Sequence, residues 1–479
     1  MDVSGLERID SFPYRHRVAD VMRAPAVTAP PAITLAEGAR RMNEAGVSSL
    51  VVTADGRPVG IVTERDLLRR VAERGGEALS LSLSAIMSSP VEAVPPDVFV
   101  YVALARMARR GLRHLAVVDH DGRLAGVLTA SALLRQRAGR GLALADEVQR
   151  AEDPAAMAAV MRQLPALARG LLAEGTQARE VAAVISAVVR DITQRCAELA
   201  EATLAAAGQG GPPAPYACLA LGSAGRGESL LVPDQDNALV HGGDADDAPW
   251  FAAFGRHLAD LLDASGVPYC KGGVMASEPL WRHSLAGWES LVERWVGAPR
   301  PADLLNVDIF FDFVPVHGDR TLAARLRARA TEAAARAPAF LMLLAEAMKT
   351  MHPPFGLLGG LRTRDGRVDL KSGGLLPLVT GARLMALKCA SSATATLDRL
   401  GAAREAGALN AEDATALAEG HEFLLRLVLD QQIADIAAGV PPSTKVELAR
   451  LARPVRRRLT EVLRQVDAIE LNVRDVLTR

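Results

Sequence analysis

Two aspartates one residue apart, Asp234 and Asp236, follow a small-residue turn, Gly222-Ser223, in the stretch "LGSAGRGESLLVPDQDNALV". "YACLALG" reads as a buried strand running into the turn, and "NALV" as a second strand that starts just after Asp236. In extended backbone, residues i and i+2 point to the same side, so Asp234 and Asp236 aim two carboxylates at one point. Carboxylates that close repel each other, and burying them without a partner is costly. A divalent cation resolves the repulsion, and an all-oxygen donor set selects a hard ion, Mg2+ or Mn2+. The turn supplies the other half of a site. Gly222 lets a phosphate approach the backbone, Ser223 can donate to a phosphate oxygen, and Arg226 adds a fixed cation. Metal plus phosphate cradle is the equipment of phosphoryl or nucleotidyl transfer. "DQD" alone reads as a solvated turn; the pairing with Gly222-Ser223 gives it weight.

The chain that must position these groups has 479 residues, 49% of them hydrophobic and 4% aromatic, so it holds several domains packed through small aliphatic side chains. A net charge of −1 argues against nucleic-acid binding through a polycationic surface. The four cysteines, Cys196, Cys218, Cys270 and Cys389, lie far apart with no CxxC pair, which excludes a zinc ribbon or disulfide framework and points to the cytoplasm. The N-terminus has no basic-then-apolar leader pattern, and no run of about 18 apolar residues suggests a membrane span.

Residues 18–70 and 83–136 read as one unit written twice. Met22 and Met87 are 65 apart, as are Gly46 and Gly111, and Leu50 and Leu115; Gly60 and Gly126 are 66 apart. Each unit reads as a helix, a short strand (Leu50 to Thr53; Leu115 to Val118), an Asp-Gly turn (Asp55-Gly56; Asp121-Gly122), a second strand (Val59 to Val62; Ala125 to Leu128) and a closing helix. One unit is too small to bury its own sheet. The doubled pattern resembles a tandem pair of CBS domains, regulatory modules named after cystathionine β-synthase. That resemblance implies adenine-nucleotide binding after the last strand, with a Ser or Thr on phosphate and an Asp three residues on holding the ribose. "GIVTERD" supplies Thr63 and Asp66; "GVLTASA" supplies Thr129 but Ala132 in place of the acid, so the second site lacks its ribose acceptor. The alternative is that Thr63 caps the closing helix and Asp66 fills its first turn.

Beyond the repeat, Val181, Val184, Ile185 and Val188 form a helical stripe, and "GQGGPPAP" is the clearest linker. Gly-Ser followed by Asp-x-Asp looks like the signature of polymerase-β-type nucleotidyltransferases. The longer form, "GSAGRGESLLVPDQD", resembles the bacterial protein uridylyltransferase, and more closely a nucleotidyltransferase family carrying CBS domains. "CKGGVMASEPLWRHSLAGW" and "NVDIFFDFVPVHGD" also match that family. The resemblance implies a third carboxylate on a neighbouring strand. Strand alternation puts Asp308, Phe310 and Asp312 on one face; Asp312 is the choice, as metal ligand or base toward the acceptor, with Asp308 in reserve.

The expected architecture is therefore α+β and multidomain: a tail (1–14), a tandem CBS regulatory pair (15–138), a helical segment and linker (139–210), a small mixed-sheet nucleotidyltransferase domain (211–330) and a C-terminal helical bundle (331–479). The expected activity is Mg2+- (or Mn2+-) dependent transfer of a nucleoside monophosphate from an NTP to a protein or small-molecule acceptor, regulated by adenine nucleotide. The alternative is a non-catalytic nucleotide sensor on a degenerate transferase fold. Catalytic and metal residues are Asp234, Asp236 and Asp312. Nucleotide-binding residues are Gly222, Ser223, Arg226 and Lys271, the last in a loop that is otherwise a plain turn. Lys371 either faces the cleft or is a surface lysine. Trp281 and Trp288, seven apart, read as core, and Arg453, Arg456, Arg457 and Arg458 as a solvated face. No membrane or nucleic-acid partner is expected, and CBS pairing suggests a homodimer. His120-Asp121 falls in a hairpin turn, so no phosphohydrolase centre accompanies the transferase.

Overall fold

In the N-terminal repeat, Asp55 and Gly56 both take positive φ, 51° and 75°, and fold β2 (Ser49–Ala54) back onto β3 (Arg57–Thr63) with Ala54 facing Arg57. That left-handed pair matches the natural twist of a two-residue hairpin. In the second repeat the loop is longer: Val118 faces Leu124, and the Asp119 carboxylate accepts from the Asp121 and Arg123 amides. The computed structural model describes residues 16–130, 144–298, 300, 304–356 and 360–478. The expected tail (1–14), Ala132 and the junction through residue 143 lie outside the described residues. The chain divides into two compact units, Met1–Leu142 and Ala143–Arg479.

The first unit holds two three-stranded sheets, β1 (Thr28–Ala29) to β3 and β4 (Ala93–Val94) to β6 (Leu124–Thr129), with β5 (His114–Val118) central in the second. The repeats exchange their leading segments. Arg23 pairs with Val127 of the second repeat, and Ser88 pairs with Ile61 of the first. A side chain on Gly60 would collide with Met87, and one on Gly126 with Met22, which explains why Met and Gly recur at matched positions. Each methionine packs on the other repeat's glycine.

The second unit is built on a four-stranded mixed sheet in the order β10-β7-β8-β9: β7 (Tyr216–Ala220), β8 (Asn237–His241), β9 (Arg282–Ser284) and β10 (Val314–Gly318). β7 runs antiparallel to β8 and β10, and β8 parallel to β9. Every residue of β7 and β8 is buried, as the unbroken apolar runs predict for a sheet covered on both faces. The 29-residue helix Ala178–Ala206 packs against this sheet and buries Val181, Ile185 and Val188. Trp281 and Trp288 are core, 1% and 0% exposed, and the Trp288 indole N–H donates to the Leu239 carbonyl at 2.8 Å. Helices Leu376–Lys388, Thr396–Glu405 and Ala411–Ala437 form the centre of the C-terminal helical region, and Arg453, Arg456, Arg457 and Arg458 are exposed on a later helix.

The expected strand through Asp308, Phe310 and Asp312 is corrected. Residues Leu304–Phe310 form a helix, a turn carries Phe311 and Asp312, and the strand begins only at Val314. The helical course explains how both acids, four apart, reach one partner, Arg383.

Candidate functional site

Asp234 and Asp236 lie in an extended segment leading into β8. Between them Gln235 points inward, where it is 3% exposed and its amide donates to the Ala259 and Val267 carbonyls at 3.1 and 3.3 Å. Anchoring Gln235 in the core turns its two neighbours to the opposite side, as period-two geometry requires. Gln235 also bridges in parallel to Tyr269. One residue further along both chains, Asp236 comes beside Cys270, and oxygen donors of Asp234 and Asp236 and the Cys270 sulfur all lie within 4.8 Å of one another. The Asp236 Oδ1 atom is shut off from solvent and has no hydrogen-bond donor. Burial first, then the neighbouring Asp234 charge, pushes its carboxyl up to about 7; the Cys270 thiol, Lys371 and Arg226 only partly oppose this. An orphaned buried carboxylate oxygen beside a second carboxylate fits a cation as its partner.

The Gly222-Ser223 turn is tied to the same place, because the Leu221 amide donates to the Asp236 carbonyl at 2.8 Å. Gly222 has φ +55°, and a Cβ there would run into Asp236 Oδ2. Glycine is required by both conformation and space. Ser223, Arg226 and Asp234 line a cavity of about 310 Å³ whose opposite wall comes from the C-terminal helices: Lys371, His421 and Gln432, with Ser443 and Thr444. Lys371 therefore lines the cavity, whereas Lys271 is an exposed residue in a turn and is not among the lining residues.

Asp312 is not one of these three donors. It is 0% exposed, and Arg383 donates to both its oxygens, at 3.1 and 2.7 Å, while Arg399 pairs at 2.8 Å and Arg226 closes the set. Burial alone raises its pKa, but Arg383, Arg226 and Arg399 outweigh burial and hold the carboxyl well below the usual range. Arg383 also grips Asp308, which accepts from Thr380 at 3.1 Å. Arg226 donates in addition to Glu228 at 2.7 Å, so the guanidinium at the cavity wall is fixed from below by two acids. His421, 1% exposed, has its pKa lowered by burial and keeps an unpartnered Nδ1.

In the first unit, Thr63 Oγ1 donates to Asp66 Oδ2 at 2.7 Å, the Thr63 amide donates to the same oxygen at 3.0 Å, and Arg69 donates to Asp66 Oδ1 at 3.1 Å. This is a capping box on the helix Glu64–Arg74. Thr129 ends β6, opposite His114.

Sequence reasoning missed Cys270, Arg383, Arg399 and His421. The signal for Cys270 was its place at the head of the "CKGGVMA" segment; the arginines and His421 carry none, since they lie on distant helices whose packing decides the contact.

Comparison with known proteins bears on both units. CBS-domain models match residues 18–73 and 83–139. Models described as "Putative nucleotidyltransferase DUF294" and "Putative nucleotidyltransferase substrate binding domain" match residues 162–302 and 338–475. The "Uncharacterized protein MK0525" of Methanopyrus kandleri is 36% identical over 119 residues, which are 25% of this chain and 61% of that protein. A 17.7 kDa protein of Acidianus ambivalens is 32% identical over 120 residues, 25% of this chain and 71% of its own length. A CBS domain protein of Pyrobaculum aerophilum, solved in complex with AMP, is 35% identical over 26% of this chain and 95% of its own, with a TM-score of 0.24. No helix among the described residues is long and apolar enough to cross a membrane.

Proposed function

We propose metal-dependent nucleotidyl transfer, under adenine-nucleotide control, for this chain, which belongs to the family of CBS-domain proteins carrying the matched nucleotidyltransferase and substrate-binding domains. The observation that carries the reading is the cavity itself. The small-residue turn, the aspartate segment and the C-terminal helices converge on one space that offers acids on one side and Arg226 and Lys371 on others.

In this reading an NTP lays its phosphates along the Gly222-Ser223 turn. The Ser223 hydroxyl donates to a phosphate oxygen, and Arg226 and Lys371 balance the remaining charge. Asp234 and Asp236 would hold Mg2+ or Mn2+, which supplies charge neutralisation at the reacting phosphate. Asp312 acts one step back, as a positioning residue: it holds Arg226, and through Arg383 and Arg399 it ties the transferase sheet to the C-terminal helices. Neutral His421 lies in the wall that an acceptor would approach, and the acceptor is a protein or a small molecule. Thr63 and Asp66 give the first repeat a ribose and phosphate site once Asp66 exchanges its Arg69 contact for ligand. Thr129 offers phosphate contact in the second. A homodimer through the CBS pair and a cytoplasmic setting complete the proposal.

Incubation of the full chain with each labelled NTP and Mg2+ or Mn2+ in host extract tests this. Transfer of label and release of pyrophosphate are expected, and Asp234→Asn and Asp236→Asn should abolish both with the fold intact. Unchanged transfer in those variants rules the reading out. One observation favours a second reading, a nucleotide sensor without turnover: Asp312 is fully engaged by arginines, leaving it no free oxygen for chemistry. NTP binding without pyrophosphate release across acceptors would favour the sensor.

A further inference from the structure

We propose that Cys270 is the third protein donor of the metal site, and that the site therefore takes a borderline or soft divalent ion, Co2+, Zn2+ or Cd2+, ahead of Mg2+; this rests on the metal-dependent reading above. Two independent features place the sulfur there. The Gln235–Tyr269 bridge fixes the register that sets Cys270 beside Asp236, and the three donors mutually approach within 4.8 Å. For any three donors no more than 4.8 Å apart there is a point within about 2.8 Å of all three. Metal–sulfur and metal–oxygen bonds are about 2.3 and 2.0–2.2 Å, so each donor needs to close by less than about 1 Å. The second feature is the sealed Asp236 Oδ1, a buried carboxylate oxygen without a hydrogen-bond partner.

Asp312, the acid expected to complete the site, already spends both oxygens on guanidinium groups. Cys270 is half-buried and free of any disulfide, whereas Cys196 and Cys218 are buried away in the core. Two carboxylates and a thiolate form a mixed hard and soft set, which favours ions later in the first transition row over Mg2+. As the metal–sulfur bond forms, the thiol proton passes to solvent, and no oxidation state changes. The Gly222-Ser223 turn, whose glycine lies against Asp236, would receive the phosphate oxygens beside the ion.

Titration of the full chain with Co2+ provides a readout apart from activity. The wild-type protein should develop a sulfur-to-cobalt charge-transfer band in the near ultraviolet. Cys270→Ser should lose that band and bind Co2+ about tenfold more weakly, in the range of single-group losses at metal sites. Circular dichroism checks that the variant is folded. X-ray absorption of the Cd2+-loaded wild-type chain gives a measurement free of any variant and should resolve one sulfur neighbour. Co2+ binding without the band, or a band that survives Cys270→Ser, overturns the assignment of Cys270 while leaving the carboxylate pair standing. Failure of the wild-type chain to bind any divalent ion overturns this proposal and the metal-dependent reading together.

Discussion

Asp312→Asn separates an acid that holds the fold from an acid that holds a metal. Around it, three guanidiniums (Arg226, Arg383, Arg399) face three carboxylates (Asp308, Asp312, Glu228). The substitution keeps the shape, removes one negative charge and turns an amide N–H₂ toward buried arginine donors. Breaking a buried pair in this way costs about 3–5 kcal/mol, because the remaining charges stay buried. At about 2 °C per kcal/mol for a unit of this size, the melting temperature of Ala143–Arg479 should fall by ~6–10 °C. Calorimetry on the full chain reads that shift. Isothermal titration with Mn2+ reads the site. The clasp geometry predicts a Kd within about twofold of wild type for Asp312→Asn, and a loss of about tenfold or more for Asp236→Asn. A tenfold loss of Mn2+ binding in Asp312→Asn with an unchanged melting temperature would refute the reasoning and restore Asp312 to the metal.

Asp236 must give up a proton to hold an ion, and burial and the Asp234 charge raise its carboxyl to about 7. Mn2+ affinity should therefore climb as pH rises through about 7; a flat titration profile would contradict this. Without metal the sign of the stability effect is opposite: the unfolded chain releases this proton near its ordinary 3.8, so apo stability declines as pH rises from there to about 7. Gly222→Ala forces a side chain onto a φ of +55° and against Asp236, and should cost about 1–3 kcal/mol in urea unfolding together with most Mn2+ binding. Asp66→Ala removes the capping box for about 1 kcal/mol; equilibrium dialysis with AMP should show binding lost, and retention would leave Asp66 a cap alone.

The parts of this fold that were legible in sequence are those where local chemistry decides. The Asp55-Gly56 turn works through backbone φ, the β7 and β8 runs through unbroken apolarity, and the aspartate pair through alternation around Gln235. Phe310, Phe311 and Phe313 misled the reading of the third acid, since a short aromatic run suits a strand or a buried helix equally well. Arg383 and Asp312 are 71 positions apart, and nothing local announces their contact. Lys271 and Lys371 illustrate the same limit. Both follow a plausible loop pattern, but only tertiary packing of the C-terminal helices brings Lys371 to the cavity wall.

The crossed leaders of the two repeats have a bearing on how the first unit arose and how it can be cut. Arg23 completes the sheet of the second repeat and Ser88 that of the first, each with a methionine lodged over a foreign glycine. A polypeptide ending after one repeat would find its missing edge only in another molecule of itself. The fused version is in effect a swapped twin tethered into a single chain, so truncation between the halves should produce obligate pairs or aggregates rather than a working monomer.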